Sequence, residues 1–196
     1  MIRKDREIKD SAQIEEIIRK AMVCRMAMSD NGFPYIVPLC FGYENRTLYV
    51  HCAGKGRKTD IIAKNNQVCV EFDIDSEIKT GENACKCSMT YRSVIGFGKA
   101  YLIDDADEKR RALDMIMAHY SGKSPFELTT PPPAPPRNGE GSFSVTPPAL
   151  SGKGDGGLGR MRKVSFEYSE SALKNTLIIR IDIEEMTGKQ NTTESV

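Results

Sequence analysis

The chain has almost no net charge. Over 196 residues, 28 lysines and arginines oppose 27 acidic residues, leaving +1 at neutral pH. A balance this close gives no global field to draw the protein onto nucleic acid or an anionic membrane, so any anion site must be a local concentration of charge. There is also no apolar run near the roughly 20 residues that a membrane span needs, and the opening MIRKDREIKD has no apolar signal core. Cysteine occurs six times, at positions 24, 40, 52, 69, 85 and 87, without the spacing of a disulfide framework. The first four fall in apolar, strand-like runs. These absences point to a reducing, cytoplasmic protein with neither a nucleic acid nor a membrane as partner. No metal is expected either, because Cys85-Lys86-Cys87 offers two thiolates where a structural zinc site needs four ligands.

The length fits one domain, which at this size buries roughly 70% of the surface of the unfolded chain without a metal or disulfide staple. Ile14, Ile17 and Ile18 at helical spacing mark a short amphipathic helix capped by Asp10 or Ser11. Residues 22–28 read as a first strand, with Met22, Met26 and Met28 on one face as core filling. Asp30-Asn31-Gly32 supplies residues tolerant of positive φ for a tight turn, and residues 35–43 are apolar on both faces, as in a fully buried strand. Further strands are expected at 47–53, 67–73, 92–103 and 176–183. A helix capped by Asp104 or Asp105 carries a stripe of Leu113, Ile116, Met117 and Tyr120. Six strands with peripheral helices make a mainly β protein, a closed or nearly closed antiparallel barrel.

One stretch stands apart. Residues 129–160 hold seven of the ten prolines, interleaved with glycine and serine, and read as an extended excursion inserted before the last strand. It contains Gly154-Asp155-Gly156-Gly157-Leu158-Gly159, which matches a dinucleotide fingerprint letter for letter. That fingerprint works only between a strand and a helix. Here Pro147-Pro148 lies upstream and strand-like residues 163–168 lie downstream, so the match is a decoy.

The richest local signal is the basic glycine-containing loop Ala53-Gly54-Lys55-Gly56-Arg57-Lys58, which opens a helix carrying Ile61 and Ile62. Helix starts already bear partial positive charge, so three cations there suit a bound anion, most naturally a phosphate. His51, one of two histidines, lies just before this loop. It shares a strand face with Thr47 and Tyr49, while Leu48, Val50 and Cys52 take the other. A ligand with its phosphate on Arg57 and Lys58 would extend back within reach of the imidazole.

Several segments together resemble a known family: Val-Pro-Leu-Cys-Phe-Gly-Tyr at 37–43, Leu-Tyr-Val-His-Cys-Ala at 48–53, Gly-Arg-Lys at 56–58, Asn-Asn-Gln-Val at 65–68 and Tyr-Arg-Ser-Val-Ile-Gly-Phe-Gly-Lys-Ala at 91–100. In order and spacing they are similar to the pyridoxamine 5'-phosphate oxidase-like split barrels, and within them to the 5-nitroimidazole reductase, or Nim-like, branch. The likeness covers most of residues 1–125 and resumes at the end of the chain.

That resemblance implies a six-stranded antiparallel split barrel, a homodimer, and FMN at the dimer interface. Carried onto matching positions, residues 37–40 would lie along the isoalloxazine ring, with main-chain groups of Val37, Pro38 and Leu39 near its polar edge. Val50 and His51 would approach the ring and ribityl chain, and Arg57 and Lys58 would hold the phosphate. Ser93 stands where related oxidases carry a glutamine that reaches the flavin. Cys40 stands where they usually carry a lysine. The residues with which true pyridoxamine phosphate oxidases hold their substrate phosphate are not recognisable, which argues against vitamin B6 synthesis. The implied activity is an FMN-dependent oxidoreductase that takes electrons from an external donor such as NAD(P)H and reduces a small nitroaromatic or quinone-like acceptor, with His51 as the proton donor. The competing reading is a non-catalytic flavin- or haem-binding module for sensing or storage.

Overall fold

A computed structural model describes residues 3–121 and 166–192. Its sheet strands are β1 (Glu7–Ile8), β2 (Cys24–Asp30), β3 (Phe33–Leu39), β4 (Gly42–Glu44), β5 (Thr47–Ala53), β6 (Gln67–Lys79), β7 (Ser88–Ile103) and β8 (Thr176–Asn191). All pairings are antiparallel, in the order β3-β2-β6-β7-β8-β5-β4, with β1 joined to β8. Six strands are long; β1 and β4 have only two and three residues. The six-stranded split barrel therefore stands, with two short additions. Four helices surround it: α1 (Ser11–Lys20), α2 (Arg57–Lys64), α3 (Ala106–Ser121) and α4 (Glu170–Asn175).

Strand alternation sends Met26, Val70, Phe72, Val94, Leu48, Val50, Ile179 and Ile181 into a core where each is fully buried. Helix α1 covers this core with Ile14, Ile17 and Ile18. Its start is capped by Asp10, whose Oδ1 accepts the Ala12 N–H at 2.9 Å. A second, smaller cluster lies under α3 and joins Tyr49, Ile103 and Ile178 to Ala112, Met115 and Ile116. The β2–β3 hairpin turns through Asn31 (φ 51°) and Gly32 (φ 89°), the residue types that accept left-handed backbone. In the β4–β5 turn Arg46 takes φ 64°, and its guanidinium holds the carbonyls of Ile183 and Glu184, the latter at 2.6 Å. Those bonds offset the strain.

Several elements differ from the sequence pattern. Residues 35–43 are not one buried strand. Strand β3 lies at a sheet edge with Phe33, Ile36, Pro38 and Cys40 exposed, and the chain breaks at Cys40 and Phe41 before β4. Pro34 and Pro38 lack the N–H that a strand paired on both sides must donate, which suits an edge. Gly42 then passes so close to α3 that a Cβ would sit 2.7 Å from the Ile116 nitrogen. Met26 and Met28 are buried as expected, but Met22 precedes β2 and is 63% exposed. Strands β6, β7 and β8 run well past the apolar stretches, because their far ends are polar yet still paired. The buried face of α3 is Ala112, Met115, Ile116 and Ala118, with Leu113 and Tyr120 partly covered and Met117 exposed. Within the expected strand at 163–168, the described residues Phe166, Glu167 and Tyr168 join no sheet; the Phe166 N–H donates instead to Asp114 Oδ1 at 3.1 Å. The excursion at 129–160 and the glycine decoy at 154–159 lie outside the described residues.

Candidate functional site

Gly54, Lys55 and Gly56 carry the chain from the end of β5 into α2. Gly56 is the cap residue at φ 150°, a region that glycine enters without strain. Its carbonyl accepts the N–H groups of Thr59 and Asp60 and the Thr59 hydroxyl, the last at 2.6 Å. No side chain caps the helix start. The N–H groups of Arg57 and Lys58 thus have no partner among the described residues, and they open towards solvent beside two cationic side chains.

This helix start lies between the β2–β3 hairpin and the end of β5. On one side the Arg57 guanidinium lies 3.5 Å from Asp30 Oδ2 and 4.6 Å over the Tyr35 ring, which ties it to the β2–β3 hairpin. On the other side Lys58 comes near Cys52 of β5: burial raises the Cys52 thiol pKa, and the Lys58 ammonium opposes the rise. Strand β4 pairs only with Thr47, Leu48 and Tyr49, so β5 has no strand partner on the β4 side beyond them, and His51, Cys52 and Ala53 are exposed or half-buried there while Val50 is covered. The arrangement is a basic helix start between two free strand edges, an anion cradle with main-chain donors and acceptors on both flanks.

The sequence-derived residues fall on the two elements that flank this helix start, β3 and β5, and on the helix start itself, with one exception. Val37 and Leu39 share a strand face with Tyr35 and are half-buried against the core; Pro38 and Cys40 face outward. Val50 is fully buried, main chain included, so in this structure it offers a ligand no exposed surface. His51 is exposed on the opposite face of β5 from Cys52, paired in register with Ile178, just beyond the part of that face covered by α3. Ser93 is the exception. It lies on β7, opposite Asp73 and Lys189, three strands over from β3 and therefore roughly 14 Å away at about 4.8 Å per strand.

Ser93 does share the outer sheet face with β3. Register places Ile36, Ala27, Cys69 and Phe97 in one cross-strand row and Pro38, Arg25, Glu71 and Ile95 in the next. Ile36 is 59% exposed and Phe97 52%. In the second row Arg25 pairs with Glu71 at 2.9 Å and with Asp73.

Two residues near the break between β3 and β4 escaped the sequence pattern. The Tyr120 hydroxyl accepts the Phe41 N–H at 3.1 Å and donates to the Met22 carbonyl at 2.9 Å. His119 Nε2 lies 2.8 Å from the Ala21 carbonyl, and its ring packs 4.3 Å from that of Phe41. Burial raises the Tyr120 pKa to about 12, so the phenol keeps the proton that it donates. The last turn of α3 therefore clamps the corner next to Cys40. Periodicity marked Tyr120 only as part of an apolar stripe, and no sequence signal pairs it with positions 22 and 41.

Residues 10–154 match the family model described as pyridoxamine 5'-phosphate oxidase. The chain belongs to this family. Among solved structures, this family member is similar to a candidate 5-nitroimidazole antibiotic resistance protein from Bacteroides thetaiotaomicron: 31% identity, 94% of this chain and 86% of that one covered, TM-score 0.66. An FAD and heme binding protein from Mycobacterium smegmatis shares the fold at 16% identity, with 95% and 73% covered and TM-score 0.67. A flavocytochrome from Azotobacter vinelandii does so at 16% identity, with 95% and 69% covered and TM-score 0.64. No curated protein matches the sequence. Among the described residues of this oxidase-family chain, no group of His, Cys, Asp and Glu could hold a metal ion, and no helix is long and apolar enough to cross a membrane.

Proposed function

We propose that the protein is an FMN-dependent oxidoreductase that reduces a small nitroaromatic-type acceptor. One observation carries the reading: a basic, uncapped helix start held between the free edges of β3 and β5. The similarity to the Bacteroides thetaiotaomicron protein supports the acceptor class. The cradle suits a single terminal phosphate, with Arg57 and Lys58 as cations and their own N–H groups as donors. FMN ends in such a group.

When bound, the flavin supplies hydride and electron transfer. The chain's own residues bind, orient and protonate. Arg57 and Lys58 hold the phosphate, with Arg57 steadied by Asp30 and Tyr35. Tyr35, Val37 and Leu39 form one side of a track leading away from that phosphate, about 13 Å long at 3.3 Å per residue. Main-chain groups of Val37, Pro38 and Leu39, with Cys40 beside them, would hold the ring, and Val50, fully buried, would support that side of the site from beneath. His51, exposed at the end of β5, would hand a proton to the acceptor.

Ser93 cannot reach a flavin held by its own chain's β3, so its role in this reading is played across a homodimer interface. The exposed Ile36, Ile95 and Phe97 around it supply apolar area for that contact. The test begins with the purified protein: a visible flavin spectrum, bleaching by NADH or NADPH, and recovery on adding a nitroaromatic acceptor. His51→Ala should slow the recovery far more than it lowers flavin content. Bleaching without steady turnover of any acceptor contradicts the oxidoreductase reading, and a flavin-loaded monomer in ultracentrifugation contradicts the shared interface.

A further inference from the structure

At the opposite end of the sheet, four chain segments converge on a cavity of about 420 Å³ lined by Arg3, Asp5, Arg6, Lys79, Ser88, Thr90, Gln190, Asn191 and Thr192. No lining residue is apolar. Lys79 ends β6, whose first residue, Gln67, follows α2, so about 40 Å of strand separates this cavity from the basic loop, at 3.3 Å for each of thirteen residues.

The charges around it are not balanced. Asp5 is taken up by Arg3, whose guanidinium donates to both carboxylate oxygens at 2.9 and 2.6 Å. That pairing holds the Asp5 carboxyl at a pKa of about 2. The Arg6 main-chain N–H donates to the Arg3 carbonyl at 3.2 Å, but its guanidinium makes no hydrogen bond or close ion pair among the described residues and acts on Asp5 only at longer range. Lys79 reaches only Glu77, at 3.3 Å in an exposed pair of little strength. The lining thus carries three cations against one carboxylate, a larger local excess than the +1 of the whole chain. Ser88 Oγ accepts from Asn191 Nδ2 at 3.3 Å, which leaves its own proton free to donate. Thr192 and Gln190 add neutral donors.

We infer that this cavity is a second anion site, distinct from the basic loop at α2, for a small molecule carrying a diphosphate group. Its exposed lining is mainly polar, and what apolar surface there is comes from the stems of polar side chains, so a charged, hydrogen-bonding ligand fits it better than an apolar one. Liquid water occupies about 30 Å³ per molecule, so the cavity has room for two linked phosphates with their hydration waters. Tetrahedral oxyanions accept hydrogen bonds from many directions, which matches donors arriving from the N-terminal turn, β6, β7 and β8.

The test is calorimetric titration of the full chain with inorganic pyrophosphate at low ionic strength. In Arg57→Ala/Lys58→Ala, whose α2 cradle is removed, one site per chain is expected, and wild type should show, besides any binding at α2, that same site. Arg6→Glu and Lys79→Glu should each weaken it roughly tenfold, with unchanged melting temperature because both side chains are outside the core. Arg57→Ala/Lys58→Ala should leave it intact. Citrate should bind about tenfold more weakly than pyrophosphate, since its three carboxylates sit on a flexible carbon frame that must be ordered to meet donors from four segments, whereas the linked phosphates share one bridging oxygen. Absence of pyrophosphate binding, unchanged affinity in the Arg6→Glu/Lys79→Glu double variant, loss of binding in the α2 variant, or equal affinity for citrate would each overturn the assignment.

Discussion

Replacing Tyr120 by phenylalanine removes a single oxygen atom and, with it, two hydrogen bonds that no neighbour can replace. The ring still fills its place beside His119, 4.8 Å away between centroids, so the change isolates the hydroxyl. The Phe41 N–H loses its 3.1 Å acceptor next to a side chain that is fully buried, and the Met22 carbonyl loses its 2.9 Å donor. A net hydrogen bond contributes about 1 kcal/mol, and stranding a covered donor costs about 1–3 kcal/mol. Met22 is largely exposed, so water can satisfy its carbonyl and the loss there is small. The sum is about 2 kcal/mol. For a chain of this size, each kcal/mol lowers the melting temperature by roughly 2–4 °C, which gives a drop of about 4–8 °C. Circular-dichroism melts of the wild type and Tyr120→Phe measure it. Because the clamp holds the corner beside Cys40, the variant should also hold flavin less tightly. A melting temperature within about 1 °C of wild type would refute the clamp.

Three further outcomes follow from the structure. At Gly98 a Cβ would lie 2.1 Å from the Asp182 carbonyl oxygen, in the irregular β7–β8 register, so Gly98→Ala should cost about 3 kcal/mol of overpacking, whereas Gly54→Ala, with open space around it, should change stability by less than about 0.5 kcal/mol; urea unfolding compares the two. Burial raises both the Cys24 thiol and the Tyr120 phenol to about 12. Between their ordinary values and about 12 the folded chain keeps protons that the unfolded chain releases, so stability falls as pH rises, by up to about 1.4 kcal/mol per pH unit for each group. A flat stability profile from about pH 9 to 11, or an unchanged slope in Cys24→Ala, would contradict this. His51→Ala should leave the melting temperature within about 1 °C of wild type, because an exposed strand-end side chain contributes little to stability.

How much of this was legible before folding depends on the range over which each signal acts. The start of α1, the Asn31-Gly32 turn and the basic opening of α2 are local events, fixed by caps, positive-φ residues and charge within a few positions, and they stand where the pattern placed them. So does the division of β5 into a Leu48, Val50, Cys52 face and a Tyr49, His51 face. The edge position of β3 was not legible. Apolar residues on both faces of a strand look the same whether the outer face meets a second sheet, a partner or solvent. Nor were the polar ends of β6, β7 and β8, which are held by ladder bonds to strands far away in sequence. The Tyr120 clamp joins positions about 80 and 98 residues apart, and the polar cavity draws its lining from both ends of the chain. Contacts of that range exist only once the topology does.

The central claim is that the start of α2 holds a flavin phosphate. The most direct test is fluorescence titration of wild type and Arg57→Ala/Lys58→Ala with FMN, alongside thermal melts of both. Each lost charge-assisted contact is worth about 1.5–3 kcal/mol, so the double variant should bind FMN at least roughly 100-fold more weakly while melting at the same temperature. Equal FMN affinity in the two proteins would contradict the account.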